Sequence, residues 1–183
     1  VVIAPGDSVE AEKATLAMAK DSRPNYLRLA REKTPVFSTV DSPFEIGKAY
    51  VLRQGNDVTL ISTGTMTHQC LTAAKLLEAR GVSAEVVHVP TIKPLDTETI
   101  LKSVRKTGRA VSVEEAQIMG GLGGAIAETL CEEMPAPLRR IGMDGIFGES
   151  GGYAELLEHF GLDAKSIAEK TAEFVSRVPQ YQP

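Results

Sequence analysis

The amino-acid sequence predicts an α/β protein: three layers built on a mostly parallel sheet, preceded by a β-α-β unit of different character. Three observations lead there. From residue 57 onward, short apolar runs alternate with stretches of helical period, each pair separated by Gly or a capping residue. The order strand, helix, strand, helix implies parallel strands joined by crossover helices on both faces. A hydrophobic content of 43% and a charged content of 24% over 183 residues are those of a globular chain, one long enough to bury roughly 70% of its unfolded surface.

The elements follow in order. Val1 to Ala4 form an apolar run stopped by Pro5-Gly6, and Asp7 stands three residues before Glu10, a capping pattern that opens a helix over Ser8 to Lys20. Ser22-Arg23-Pro24 ends it, and Tyr26 to Ala30 alternates as a strand. Two strands and a helix cannot close a core, so residues 1–36 read as the end of a larger sheet whose front is missing. Residues 37–56, with Pro43, Gly47 and Gly55, read as a linker. Residues 57–183 then carry strands at Asp57–Thr63, Ala84–Val89, Ala110–Glu114 and Leu138–Ile141. Helices run over Thr67–Arg80, from the Asp96 cap to about Lys106, over Leu122–Glu133, near Gly152–Phe160 and from Asp163 onward. Cys70, Ala73, Ala74 and Leu77 give the first of these helices its apolar face, and Ile167, Thr171, Phe174, Val175 and Val178 give the last its own.

Composition excludes several function classes. No apolar run approaches the ~20 residues of a membrane span, and the first residues lack the basic and long apolar regions of a signal peptide. Cys70 and Cys131 are sparse and not spaced as CxxC, which predicts a reducing cytoplasm over a disulfide framework. The net charge is -4 without a basic tract, so neither nucleic acid nor membrane is an expected partner.

Few residues combine into chemistry. Ligands of parallel sheets collect beyond the carboxyl ends of the strands. Asp7 follows the first strand and Arg31 the second, so neighbouring strands would turn a carboxylate and a guanidinium toward one crevice. That pair suits a polyol phosphate, the acid accepting from hydroxyls and the fork binding phosphate oxygens. A plain N-cap and a surface charge account for the same two residues. The cluster Gly120-Gly121-Leu122-Gly123-Gly124 could cradle a phosphate at a helix start. It lacks a clean GxGxxG and a following Lys-Ser/Thr, and close packing explains it better. Glu114 and Glu115 are adjacent on a strand and so point apart. His68, His88 and His159 share no metal spacing and read as structural, His88 half-buried in its strand. There is no GxSxG elbow.

Taken in order, several segments resemble the C-terminal third of transketolase-type thiamine diphosphate enzymes. They are Pro5-Gly6-Asp7-Ser8-Val9-Glu10, Tyr26-Leu27-Arg28-Leu29-Ala30-Arg31, Phe44-Glu45-Ile46-Gly47, Ile92-Lys93-Pro94-Leu95-Asp96, Glu114-Glu115 through Gly123, and Phe147-Gly148-Glu149-Ser150-Gly151. The resemblance covers essentially the whole chain. It implies the end of a pyrimidine-binding domain over 1–36, a linker over 37–56 and a transketolase C-terminal domain over 57–183. It implies transfer of a two-carbon ketol unit between sugar phosphates with thiamine diphosphate and Mg2+. The family's GDG…NN diphosphate motif and its activating glutamate have no counterpart here. The chain alone is therefore expected to bind neither cofactor nor metal and to be inactive. Its implied partner is an N-terminal portion or subunit carrying the diphosphate domain, in a homodimer or heterotetramer. By the same resemblance Asp7 meets the sugar's hydroxyls and Arg31 binds its phosphate, and no catalytic residue falls in this chain. The alternatives are 1-deoxyxylulose-5-phosphate synthase, a 2-oxoacid dehydrogenase β subunit, or a non-catalytic dimerisation or regulatory module.

Overall fold

A computed structural model describes residues 1–181. In chain order the elements are β1 (Val2–Ile3), α1 (Ser8–Met18), β2 (Tyr26–Leu27), β3 (Tyr50–Arg53), β4 (Val58–Ser62), α2 (Met66–Glu78), β5 (Ala84–His88), β6 (Thr91–Lys93), α3 (Thr97–Thr107), β7 (Ala110–Gln117), α4 (Leu122–Glu133), β8 (Leu138–Met143), α5 (Tyr153–His159) and α6 (Ala164–Arg177). The main sheet has the order β3-β5-β4-β7-β8 and is parallel except for β3.

Alternation along the strands divides the core in two. Leu60, Val86, Val111 and Val113 pack under α2 and α6 with Leu77 and Ile167. Ile61, Val87 and Ala110 face the other way, against Ile100 and Val104 of α3 and Ile126 of α4. These are the three layers that the sequence predicts. Leu60 and Ile61 are fully buried on opposite faces, and truncating either to Ala would cost about 2–5 kcal/mol. Helix ends follow local chemistry: Asp96 caps α3 by accepting the Thr99 N–H at 3.1 Å, and Gly108 ends it at φ 69°. Arg109 then donates to the carbonyls of Asp57 (2.7 Å) and Val175 (2.9 Å), tying the end of α6 to the start of β4.

Two strands lie where none was expected. Residues 50–53, inside the stretch read as a linker, form β3, which pairs antiparallel with β5 at Tyr50↔His88 and Val51↔Val87. Its half-exposed edge position leaves no burial pattern to read. β6 sits between Pro90 and Pro94, which mask a strand in sequence. It pairs antiparallel with β1, while β1 pairs parallel with β2. The opening segment is thus joined to the rest of the chain through a three-stranded sheet, β2-β1-β6. β2 spans two residues rather than five, and β7 runs on to Gln117.

Candidate functional site

The parallel pairing Val2↔Tyr26 and Ile3↔Leu27 sends the chain out of β1 and β2 on the same side. Asp7 follows β1 and caps α1, its Oδ1 accepting the Glu10 N–H at 2.9 Å. The same carboxylate reaches across to residues 37 and 38. Oδ2 accepts the N–H groups of Phe37 (2.9 Å) and Ser38 (2.7 Å), and the Ser38 hydroxyl donates to Oδ1 at 2.6 Å. Asp7 is only 4% exposed. Burial pushes its pKa up, but the hydrogen bonds from Ser38, Glu10 and Phe37 outweigh that and hold it below the ordinary 3.8. Four accepted bonds use the four lone-pair sites of a carboxylate.

Arg31 stands beyond β2 and is exposed. Asp7 lines a hollow of about 420 Å³, and Arg31 lines an adjoining one of about 250 Å³. Pro5, Leu29, Ala30 and Thr65 are walls of both. The expected juxtaposition therefore takes the form of neighbouring hollows with a common wall. Beyond Arg31 the surface continues to Ser150 and Tyr153, both of which line a further hollow with it. Glu115 organises this side, its Oε2 accepting from Thr65 Oγ1 (2.8 Å) and the Tyr153 hydroxyl (3.1 Å). Burial, with Glu115 nearby, pushes the Tyr153 phenol up to about 12.

Sequence reasoning missed a buried polar chain beside Asp7. His88 is 1% exposed, not half-buried. Its Nε2 lies 2.7 Å from Glu10 Oε2 and its Nδ1 2.6 Å from Thr67 Oγ1, which lies 3.0 Å from Ser62 Oγ. The order hydroxyl, imidazole, carboxylate is that of a nucleophilic triad. Thr67 is fully buried, however, and no substrate atom can reach it. The sequence signal for these contacts was a histidine inside a strand, in Ala84–His88.

The glycine-rich turn before α4 is already filled. Glu114 accepts the N–H groups of Leu122 and Gly123, both at 2.8 Å, so its carboxylate holds the helix start where a phosphate would sit. A Cβ on Gly121 would collide with Glu114, and one on Gly123 would stand 2.7 Å from Ser112 Oγ. Glu114 and Glu115 do point apart, one to α4 and one to Thr65. Among the described residues no group of three or more His, Cys, Asp or Glu is placed to hold a metal ion. With the Glu114 carboxylate on its free N–H groups, the glycine-rich turn does not fit a diphosphate. No helix among the described residues is long and apolar enough to cross a membrane.

A mostly parallel five-stranded sheet between helices, joined through a small mixed sheet to a β-α-β unit with an acid and a guanidinium beyond adjoining strand ends, defines a three-layer α/β protein. Residues 47–167 match the family model described as transketolase, C-terminal domain, and the chain belongs to that family. It is 42% identical over 176 residues to a 6-deoxy-6-sulfo-D-fructose transketolase subunit, SqwH, of Clostridium sp. (strain MSTE9), covering 96% of this chain and 55% of that protein. It is 37% identical over 188 residues to a 1-deoxy-D-xylulose-5-phosphate synthase of Gloeobacter violaceus, covering 100% of this chain and 30% of that protein. A solved structure described as a split gene transketolase, inactive beta4 tetramer, superposes with a TM-score of 0.92 at 39% identity, covering 96% of this chain and 57% of that one. The chain thus spans about half the length of the first relative and less than a third of the second.

Proposed function

We propose that this chain is the C-terminal part or subunit of a transketolase that moves a two-carbon ketol unit between sugar phosphates. Residues 1–36 end a pyrimidine-binding domain, the segment before β3 links it onward, and the C-terminal domain begins with β3, the edge strand of the main sheet. Thiamine diphosphate and Mg2+ are held by an N-terminal portion or subunit, in a homodimer or heterotetramer in the cytoplasm. The carbanion chemistry belongs to the cofactor, and this chain's share is to bind the sugar phosphate. The observation that carries this reading is the parallel pairing of β1 with β2, which brings Asp7 and Arg31 to adjoining hollows. Arg31 takes the phosphate in its free fork. Asp7 accepts a sugar hydroxyl in place of the Ser38 hydroxyl, the one of its four donors that can turn away without moving backbone.

Reconstitution tests it. The chain is mixed with a subunit carrying the diphosphate domain, and ketol transfer is followed with and without each component. Transfer that needs both supports the reading, and tight stoichiometric binding of thiamine diphosphate by the isolated chain contradicts it. A second reading, 1-deoxyxylulose-5-phosphate synthase, is favoured by the relative matched along the whole chain. Formation of 1-deoxy-D-xylulose 5-phosphate as the product in the same assay would select it.

A further inference from the structure

We propose that His88 is a positioning residue for Asp7, acting from the main sheet through both arms that grip the Asp7 carboxylate; this rests on Asp7 being the acceptor of a sugar hydroxyl. The first arm is Glu10. Its Oε2 accepts the Gly6 N–H at 2.6 Å and meets His88 Nε2 at 2.7 Å, while its own N–H goes to Asp7 Oδ1 at 2.9 Å. A carboxylate oxygen only accepts, so His88 Nε2 is the donor to Glu10 and its Nδ1 accepts the Thr67 hydroxyl. The second arm is the segment at Phe37. Its ring stands edge-on to the His88 imidazole, with centroids 5.5 Å apart and planes at 87°, and its N–H donates to Asp7 Oδ2 at 2.9 Å. The arms close over Gly6, where a Cβ would stand 2.8 Å from Phe37 Cε1 and 3.1 Å from His88 Cε1.

The ring that supports both arms is itself fixed. His88 ends β5, between β3 and β4, and its Nδ1 takes the Thr67 hydroxyl at 2.6 Å. Asp7, by contrast, follows a two-residue strand and takes its direction from the groups that donate to it. The five-stranded sheet thus bears on the acid through the contacts of His88 with Glu10 and Phe37.

A double-mutant cycle in the reconstituted enzyme tests this. Donor KM and kcat are measured for wild type, Asp7→Ala, His88→Ala and the double variant, on a hydroxylated donor and a set of its deoxy analogues. Asp7→Ala should abolish the preference for one hydroxyl. His88→Ala should weaken the same preference about three- to tenfold, chiefly through KM, and add nothing in the Asp7→Ala background. His88→Gln, whose amide can donate to Glu10 and accept from Thr67, should restore part of it and serves where His88→Ala folds poorly. Equal losses on all donors for both His88 variants, with Asp7→Ala alone abolishing the preference, would overturn the positioning role. A preference that survives Asp7→Ala would overturn the reading of Asp7, and this inference with it.

Discussion

Glu114 and Gly121 occupy one another's space: the carboxylate that accepts the N–H groups of Leu122 and Gly123 lies where a Cβ on residue 121 would have to go. Gly121→Ala should therefore displace the carboxylate and strand two buried donors, costing about 1–3 kcal/mol. In a chain of this size that lowers the melting temperature by about 2–12 °C. Glu114→Ala makes the room, so the double variant should lose less than the sum of the single losses. Calorimetric melting of the four forms checks it, and strict additivity would contradict the packing account.

The fold was legible wherever burial imposes a period. The face carrying Cys70, Ala73, Ala74 and Leu77 and the capping pair Asp7–Glu10 both read directly from spacing. β3 was not legible, because Val51 and Leu52 are exposed on an edge strand and alternate nothing. The site was half legible. The strand-end rule anticipated that Asp7 and Arg31 lie beyond neighbouring strands, but the link between Asp7 and residues 37–38, and between Glu10 and His88, spans 30 to 78 positions. Such contacts arise from tertiary packing and leave no local pattern.

Ser38 offers a test of how a saturated carboxylate can bind substrate. Ser38→Ala keeps the backbone N–H bonds to Asp7 but frees one lone pair on Oδ1. Donor KM in the reconstituted enzyme should stay level or fall, while stability drops by about 0.5–1.5 kcal/mol. A KM rise of tenfold or more would mean that Ser38 itself holds the substrate.

Acid stability should depend on Asp96 as well as Asp7. Asp96 accepts the Ala49 N–H and the Thr99 hydroxyl, both at 2.9 Å. Burial pushes its pKa up, but these bonds and the Thr99 N–H hold it below 3.8. A depressed folded pKa gives stability that is present above the unfolded value near 3.9 and lost as pH falls through the folded one. Melting temperature scanned from pH 6 to pH 2 should fall less steeply below pH 4 for Asp96→Asn than for wild type. The variant should start lower at pH 6 by about 0.5–1.5 kcal/mol, since an amide cannot accept at every point where the carboxylate did. Parallel curves would remove Asp96 from the acid transition.

Arg31 carries the central claim, that the strand ends of β1 and β2 bind a phosphorylated sugar. A lost charge-assisted contact costs about 1.5–3 kcal/mol, so Arg31→Ala should raise KM for a sugar phosphate about ten- to a hundredfold in the reconstituted enzyme. Arg31→Lys should recover part of the loss, keeping charge without the bidentate fork. The deciding measurement is steady-state kinetics of Arg31→Ala on one phosphorylated donor and one plain donor. A large loss confined to the phosphorylated donor is the predicted result, and equal losses on both, or none on either, would contradict it.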